Sequence, residues 1–180
     1  MIKYQLTSTS EELEQIIALQ HKNLPLHIST DEKDEQGFVT IQHTLELLTK
    51  MHAAHPHIIA KHNDTVVGYA LCMLQEFRNE IPVLIPMFDL TDIAIKKQNK
   101  DLNYMVMGQV CVDKEYRKQG VFRALYTFMK ENISKEYNAI ITEVDVGNVR
   151  SSNAHKSVGF KVLKQYQSNN QNWEIIILHA

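Results

Sequence analysis

The sequence has little of what marks a secreted, membrane-spanning or nucleic-acid-binding protein. Its only two cysteines, Cys72 and Cys111, cannot form a disulfide framework or a CxxC metal site. No apolar run approaches the roughly 20 residues of a membrane helix, and the first residues turn polar too early for a signal peptide. The net charge of −2 indicates no nucleic-acid or membrane surface. We therefore expect a cytoplasmic protein with buried thiols and no metal.

Two common nucleotide-binding motifs are also missing. Without Gly-x-x-x-x-Gly-Lys-Ser/Thr, the chain lacks the lysine–hydroxyl pair that a P-loop uses for a nucleotide and magnesium. Without Gly-x-Gly-x-x-Gly, it lacks the fingerprint of a Rossmann domain. An anionic ligand would therefore need a local positive site of another kind.

The composition fits one domain over residues 1–180. Hydrophobic residues make up 44% and charged residues 22% of the chain, which is ordinary for a globular protein. A chain of this length can bury one substantial core. Because there is neither an internal repeat nor a low-complexity linker, we predict a single domain.

The first half of the chain has the weaker structural signals. A capping box at Thr9 and Glu12 predicts a helix, and apolar spacing predicts a second one over Ile41–Met51. Alternation and turn signals predict strands over Ile2–Leu6, His57–Ala60 and Val66–Leu74, the last two forming a hairpin.

Two stretches of this half predict loops. The charged run Asp31–Gly37 predicts a solvated loop. Between Glu76 and Asn103, Pro82 and Pro86 interrupt the pattern, and Lys96–Lys100 predicts an exposed loop. We therefore predict no regular element there.

The second half is clearer. Its patterns predict strands over Met105–Val112, Ala139–Val144, Lys161–Gln167 and Asn172–His179, the last two forming a closing hairpin. They predict helices over Arg117–Ser134 and about Ser151–Ser157, with Gly159 at the second helix's end. Two strand–helix–strand passages in a row predict an α/β (α+β) fold, with a mixed sheet and helices on both faces.

The segment Gln109–Leu125 carries the chemistry. A buried strand ends near Val112, and after a polar turn Gly120 falls in the first turn of a helix. The first N–H groups of a helix lack internal partners and favour an anion such as phosphate. Gly120, without a Cβ, permits close approach, and Arg117 with Lys118 adds positive charge. The alternative is an ordinary strand–turn–helix whose basic residues face solvent.

This turn resembles the signature of the GNAT superfamily of acetyltransferases. Arg117-Lys-Gln-Gly-Val-Phe122 is similar to that family's Arg/Gln-x-x-Gly-x-Gly/Ala motif, and Val112–Tyr116 resembles its Val-x-x-x-Tyr lead-in. The departure is Phe122, where the family has glycine or alanine. The resemblance implies that this ring alters the fit of the cofactor or shields its pantetheine arm.

A second stretch resembles the same family. Glu143–Phe160 is similar to its Glu-Val-x-x-x-Asn…Tyr-x-x-x-Gly-Phe pattern, with His155 in place of the usual tyrosine. The two matches cover about Met105–Phe160 and occur in the family's order. They imply a single GNAT-like domain with a mixed, mostly antiparallel sheet, one splayed parallel strand pair, and acetyl-CoA as co-substrate without a metal.

The resemblance also implies which residues contact coenzyme A. Main-chain amides of Gln119, Gly120, Val121 and Phe122 would bind the pyrophosphate. Strand residues Val110, Cys111 and Val112 would lie along the pantetheine arm, which pairs with the main chain of Val110 and Val112. The remaining cofactor contacts predicted are Arg117, Lys118, Asn148, Asn153 and His155; for the two asparagines the alternative is local turn and cap chemistry.

The chemistry implied is direct transfer of an acetyl group to an amine. His155 is the best choice for the acid that protonates the leaving thiolate, since imidazole titrates near neutrality; the alternative is a histidine that only packs. A main-chain N–H near Val110, freed by a bulge or splay, would polarise the carbonyl. For the base we select Glu143, with other carboxylates or an ordered water left open; those carboxylates are Asp145, Glu76 and Glu80.

The acceptor is not readable from the sequence. The regions that would shape its site are Leu19–Phe38, Glu76–Asn103 and the hairpin around Trp173, and the protein would be a monomer or a homodimer. A second hypothesis is a module that binds or senses acyl-CoA without turnover. A metal at the histidine cluster His52, His55, His57 and His62 is not favoured, because no carboxylate accompanies it.

Overall fold

The computed structural model describes residues 1–24, 41–97, 102–133 and 135–180, and their strands form one sheet. The seven strands lie in the order β1-β2-β3-β4-β5-β7-β6. They are β1 Ile2–Leu6, β2 Ile58–His62, β3 Thr65–Met73, β4 Tyr104–Val112, β5 Ala139–Asp145, β6 Lys161–Ser168 and β7 Gln171–His179. Every strand predicted from the sequence is present, within about two residues at each end.

The described residues hold five α-helices: α1 Ser10–Lys22, α2 Leu45–Ala54, α3 Ile85–Lys97, α4 Val121–Ile133 and α5 Val149–Val158. The capping box predicted for α1 is formed, since Thr9 accepts from the Glu12 N–H while the Glu12 side chain bonds back to the Thr9 backbone. Gly159 ends α5 in the left-handed conformation, with φ +114°.

The sheet is mixed, as predicted. Its neighbouring strands run antiparallel except β4 and β5, which pair in parallel over Tyr104–Val106 and Ala139–Ile141. Beyond Val106 and Ile141 both strands continue, but this parallel pairing ends. The strand pair therefore splays at its carboxyl end.

Helices cover both faces of the sheet. On one face, called here the α1–α3 face, buried residues of α1, α2 and α3 pack on β3 and β4. On the other, the α4 face, the apolar stripe of α4 packs on β2, β3 and β5. Side chains alternate between the two cores along the regular parts of the strands, so the splay opens between two packed layers.

Two predictions for helices were wrong. Helix α3 occupies a region for which the sequence predicted no regular element; Pro86 is tolerated because it lies in the first turn, where a missing N–H costs nothing. Lys96 and Lys97 lie in its last turn rather than in a loop. Helix α4 begins at Val121 rather than Arg117, because Lys118 and Gly120 have positive φ angles that a helix does not allow.

Several predictions fall outside the described residues. They concern the run Asp31–Gly37, most of Leu19–Phe38, the end of the Lys96–Lys100 loop and Ser134. Among the helices that are described, none combines the length and the apolar character needed to cross a membrane.

Candidate active site

A cleft of about 310 Å³ opens beside the carboxyl end of β4. Nine of the twelve predicted cofactor residues line it: Val110, Cys111, Val112, Arg117, Lys118, Gly120, Val121, Phe122 and Asn148. It is lined also by Asn23, Tyr116, Arg123, Arg150, Ser151, Ala154 and Ser157, which were not predicted. The cleft thus brings together the end of β4, the turn that follows it and the first turns of α4 and α5.

The turn between β4 and α4 is shaped to hold an anion. Lys118 has φ +62° and Gly120 has φ +82°, whereas Gln119 between them does not have a positive φ. A turn that alternates left-handed and right-handed backbone conformations in this way directs successive N–H groups at one point. The Ala124 N–H makes the first helical bond, to the Gly120 carbonyl at 3.0 Å. The N–H groups of the three residues between them precede that bond and face outward at the positive end of the helix.

Gly120 itself lies just before α4 rather than inside it, which corrects its predicted position. A Cβ added there would have no heavy atom of the described residues within 4 Å. Space above the turn is therefore open to a ligand, and the positive φ angle is a second reason for glycine.

The cleft is cationic although the chain is slightly acidic. Arg117, Lys118, Arg123 and Arg150 line it, and among the described lining residues there is no aspartate or glutamate. Arg123 and Arg150 were missed because neither lies at a charged position of the motifs, which are Arg117 and Glu143. Together with the N–H groups of α4, these side chains form a local site for a polyanion, such as a pyrophosphate with an additional phosphate.

Arg117 also links two elements that border the cleft. Its guanidinium donates to Asn23 Oδ1 at 2.5 Å and to the Val112 carbonyl at 3.0 Å, and Asn23 in turn donates to the Leu19 carbonyl at 2.9 Å. These bonds join the end of α1 to the end of β4. No sequence motif could have identified Asn23, because it meets Arg117 only through the fold.

The two asparagines predicted at the cofactor have different places. Asn148 lines the cleft and caps α5, accepting from the Ser151 N–H at 3.1 Å. Asn153 is exposed on α5 and lines a separate surface hollow with Val149, Arg150 and Ala154. The geometry therefore favours Asn148 as a cofactor contact and does not favour Asn153. Gln119 does not line the cleft, and its side chain donates to the Glu115 carbonyl.

His155 is not placed to donate a proton to the cleft. It is 2% exposed, Nδ1 lies 2.8 Å from the Ser151 carbonyl, and Nε2 lies 2.7 Å from the Tyr126 hydroxyl. The Ser151 carbonyl can only accept, so Nδ1 carries the proton and Nε2 accepts from Tyr126. Burial lowers the pKa of His155 to about 4, against the bond to Ser151, which raises it. The structure therefore argues against the predicted acid role and favours the alternative of packing.

Phe122 and His155, the two departures from the family motifs, contact each other. Their rings meet edge to face with centroids 5.0 Å apart, and both pack against Tyr126. Phe122 lines the cleft, whereas His155 does not. The large ring and the histidine therefore form one aromatic cluster that joins α4 to α5.

Cys111 is a protonated thiol in this environment. It is 7% exposed and unpaired, and burial raises its pKa to about 12. Thiolate is the reactive form of cysteine, so this residue contributes packing to the wall of the cleft.

Glu143 lies at the splay, on the other side of the sheet from α4. It follows Ile141, the last residue of the parallel pairing, by two positions and therefore shares the α1–α3 face with it. Tyr166 of β6 donates its hydroxyl to Glu143 Oε2 through a short hydrogen bond. Burial raises the pKa of Glu143 to about 7, while the bond from Tyr166 opposes that rise. A carboxyl group with this pKa can accept a proton at neutral pH.

The other carboxylates considered as bases are less suited. Asp145 accepts from the Gly147 N–H at 2.8 Å and from Gln171, so it fixes the turn after β5. Glu76 and Glu80 are exposed on a 3₁₀ turn and just after it. Tyr166, by contrast, was missed, because only the pairing of β6 with β7 brings it to Glu143.

The histidine cluster serves the fold. His57 Nδ1 accepts from the Cys72 N–H at 3.2 Å, His52 bonds to Thr7, and His62 bonds to Tyr116. Within the described parts of the chain, no group of three or more histidine, cysteine, aspartate or glutamate side chains is arranged to hold a metal ion.

Comparisons with known proteins bear on the family and the fold of the chain. A sequence model described as the Acetyltransferase (GNAT) family matches residues 18–160. Comparison with curated proteins finds no match. At 10–18% identity, the structural similarities described next establish the fold only.

Three solved structures illustrate the likeness. The ribosomal-protein-S18-alanine N-acetyltransferase from Escherichia coli has a TM-score of 0.66 at 12% identity, over 99% of this chain and 94% of that one. The protein yncA of Salmonella typhimurium, with its cofactor acetyl-CoA, has a TM-score of 0.63 at 14% identity, over 99% and 93%. A chain of the NatC complex bound to Gag peptide and CoA has a TM-score of 0.67 at 16% identity, over 99% and 98%.

Proposed function

Because the chain belongs to the GNAT acetyltransferase family, we propose that it transfers an acetyl group from acetyl-CoA to a primary amine by direct attack in a ternary complex. The observation that carries the proposal is the splay of β4 from β5, with a cationic cleft on one side and the Glu143 carboxyl on the other. A cytoplasmic site of action, expected from the cysteines, belongs to the same proposal.

The cleft suits coenzyme A as it stands. The outward N–H groups at the start of α4 and the turn around Gly120 would bind the pyrophosphate. The side chains of Lys118, Arg123 and Arg150 would neutralise its phosphates. The β4 main chain from Val110 to Val112, past the last parallel pair with β5, would bond to the pantetheine arm as an added strand.

The chemistry at the splay needs a base and a polarising donor. Glu143 would take a proton from the ammonium group of the acceptor, since its pKa of about 7 lets it be ionised and still accept a proton near neutral pH. The neutral amine so formed would attack the thioester carbonyl. A β4 main-chain N–H near Val110 would stabilise the negative charge that develops on the carbonyl oxygen. As the C–S bond breaks, the nitrogen would lose its second proton to water and the leaving thiolate would take a proton from water, because His155 is enclosed.

The enclosure of His155 also favours the second candidate, an acyl-CoA-binding module without turnover. In such a module the cleft would bind the cofactor while no acid serves the leaving group. Glu143 is the observation against it, because a sensor has no need of a carboxyl group that titrates near neutrality.

Two measurements test the proposal. Calorimetry with CoA and acetyl-CoA should show binding, and no binding at about 1 mM, the weak end of specific affinity, would refute the cofactor site. Thiol release from acetyl-CoA should then occur with at least one amine from a panel of polyamines, amino acids, aminoglycosides and peptides. Binding without turnover across the panel would favour the sensing module.

A further inference from the structure

Strand β4 contains a bulge at the edge of the cleft. Cys72 pairs with Met107 and Ala70 with Val110, so the single β3 residue Leu71 faces two β4 residues, Gly108 and Gln109. An extra residue in one strand leaves a main-chain group unpaired and shifts every later side chain to the other face.

The bulge decides which face the rest of β4 presents. Met107 packs in the core under α4, yet two positions later Gln109 points to the α1–α3 face, where Cys111 also packs. Val110 and Val112 consequently contact the α4 side. In an unbulged strand these four residues would exchange faces, which would remove Val110 and Val112 from their present positions along the cleft.

Gln109 is held on the α1–α3 face by three hydrogen bonds, two of them buried and the third half-buried. Its Oε1 accepts from the Tyr69 hydroxyl at 2.5 Å and from Gln20 Nε2 at 2.7 Å, and its Nε2 donates to the Ile41 carbonyl at 2.7 Å. The Ile41 carbonyl fixes which end of the amide is the donor. All three partners lie on different segments: β3, α1 and the stretch before α2.

The partners are themselves held. Gln20 is 0% exposed and accepts from the His43 N–H at 2.7 Å, while its Nε2 lies 2.9 Å from His43 Nδ1. Burial lowers the pKa of His43 to about 4, so the ring is neutral at working pH. The amide of Gln109 thus bonds to polar groups that other hydrogen bonds already hold in place.

We infer that Gln109 is a positioning residue that locks the bulged register of β4 and so places the main-chain groups of Val110 and Val112 at the cleft. A slip to the regular register would bury this amide among the apolar side chains under α4, with three partners left unbonded. A buried polar group without partners is costly, so the bulged register is strongly favoured. The catalytic part of the inference rests on the proposed function, whereas the register itself does not.

The test replaces Gln109 with methionine, which keeps the length and volume but can occupy either face. The matched control is Thr7→Val, which removes a hydroxyl that is also buried and accepts from the His57 N–H at 2.9 Å, at the far end of the sheet. Tyr69→Phe removes one of the three bonds and should have an intermediate effect.

In Gln109→Met we expect kcat to fall on the order of 10²-fold, the usual effect of a misplacement of about 1 Å. The Kd for CoA should rise by about tenfold, because the pantetheine arm loses main-chain partners on β4 while the helix terminus that binds the pyrophosphate is intact. Thr7→Val, measured below the unfolding temperatures of both variants, should keep the wild-type kcat.

A readout that needs no activity is amide hydrogen exchange and backbone chemical shift in β4 of the ligand-free protein. The inference predicts altered shifts and faster exchange from Met107 to Val112 in Gln109→Met, and wild-type values there in Thr7→Val. Wild-type values for β4 in Gln109→Met would overturn it, whether or not the wild type turns over. If β4 changes but no acceptor is ever acetylated, the proposed function fails while the register lock stands.

Discussion

The two sides of the splay between β4 and β5 are built from different kinds of groups. The cofactor side consists mainly of main-chain N–H groups and cations from the turn after β4 and the start of α4, with Arg150 added from α5. The other side, where we propose that the acceptor binds and which is called here the acceptor side, holds the Glu143 carboxyl group, whose hydroxyl partner Tyr166 lies 23 residues away on another strand. Binding of a polyanion can be built from backbone, but proton transfer needs a side chain in a tuned environment.

The largest effect is expected on the acceptor side. Glu143→Gln should lower kcat/KM by about 10²- to 10⁴-fold, the usual contribution of a general base, and leave the CoA affinity measured by calorimetry unchanged. Asp145→Asn is the control, since it alters a carboxylate on the same face that only fixes a turn. Equal rates for Glu143→Gln and wild type would remove Glu143 from the base role.

The next largest effect is expected on the cofactor side alone, as a loss of CoA affinity. Gly120→Val puts a β-branched residue at φ +82° and fills the space above the turn. We expect CoA affinity to fall roughly 10- to 100-fold, from a strain of this size and the lost approach.

Gly159→Val is the matched control for that variant. It imposes the same kind of backbone strain, at φ +114°, on the residue that directly follows α5. Both variants should unfold at lower temperature, but only Gly120→Val should lose CoA affinity. A comparable loss in both would mean that strain spreads through the fold rather than acting at the cleft.

A third variant tests whether His155 has a catalytic role or only stabilises the fold. His155→Phe leaves the fully buried Tyr126 hydroxyl without its acceptor, so the free energy of unfolding should fall by about 1–3 kcal/mol. Adding Tyr126→Phe should recover part of that loss in a double-mutant cycle. Turnover at neutral pH should stay near wild type; a collapse of kcat in a folded variant would restore the acid role.

The pKa of His155 also has a consequence for stability. Its folded pKa of about 4 lies below the ordinary value of 6.5, so the unfolded chain binds more protons between these values. Stability should therefore be lost as the pH falls from about 6.5 to about 4. His155→Phe should show less of this acid lability in urea unfolding measured across that range.

The smallest effect is expected on the acceptor side, as a change in the pKa of Glu143. The Tyr166 hydroxyl stabilises the charged form of Glu143 and so lowers its pKa against the effect of burial. In Tyr166→Phe the pKa should rise, and the acid limb of the kcat/KM profile, near pH 7 in wild type, should move to higher pH. The plateau above that limb should change little, and an unmoved limb would mean that another group titrates.

The cofactor side could be largely predicted, because its residues are neighbours in sequence. The turn at Lys118–Gly120 and the cap at Asn148 follow from local backbone preferences. Helix α3 was missed because prolines obscure its periodicity, although Pro86 sits where a helix tolerates it. Arg123, Arg150 and Tyr166 carry no local signal, since their roles depend on which surfaces the fold brings together.

By itself the sequence determined the mixed sheet, the strand–turn–helix that suits a phosphate and the family whose motifs it resembles, because hydrophobic period, glycine conformation and helix termini act over a few residues. Only the tertiary structure decided that His155 is enclosed by Phe122 and Tyr126, that Glu143 acquires a pKa near neutrality, and that Gln109 locks the bulge of β4. Each of these findings depends on burial and on partners from distant segments. The spacing of neighbouring residues encodes neither the burial nor the partners.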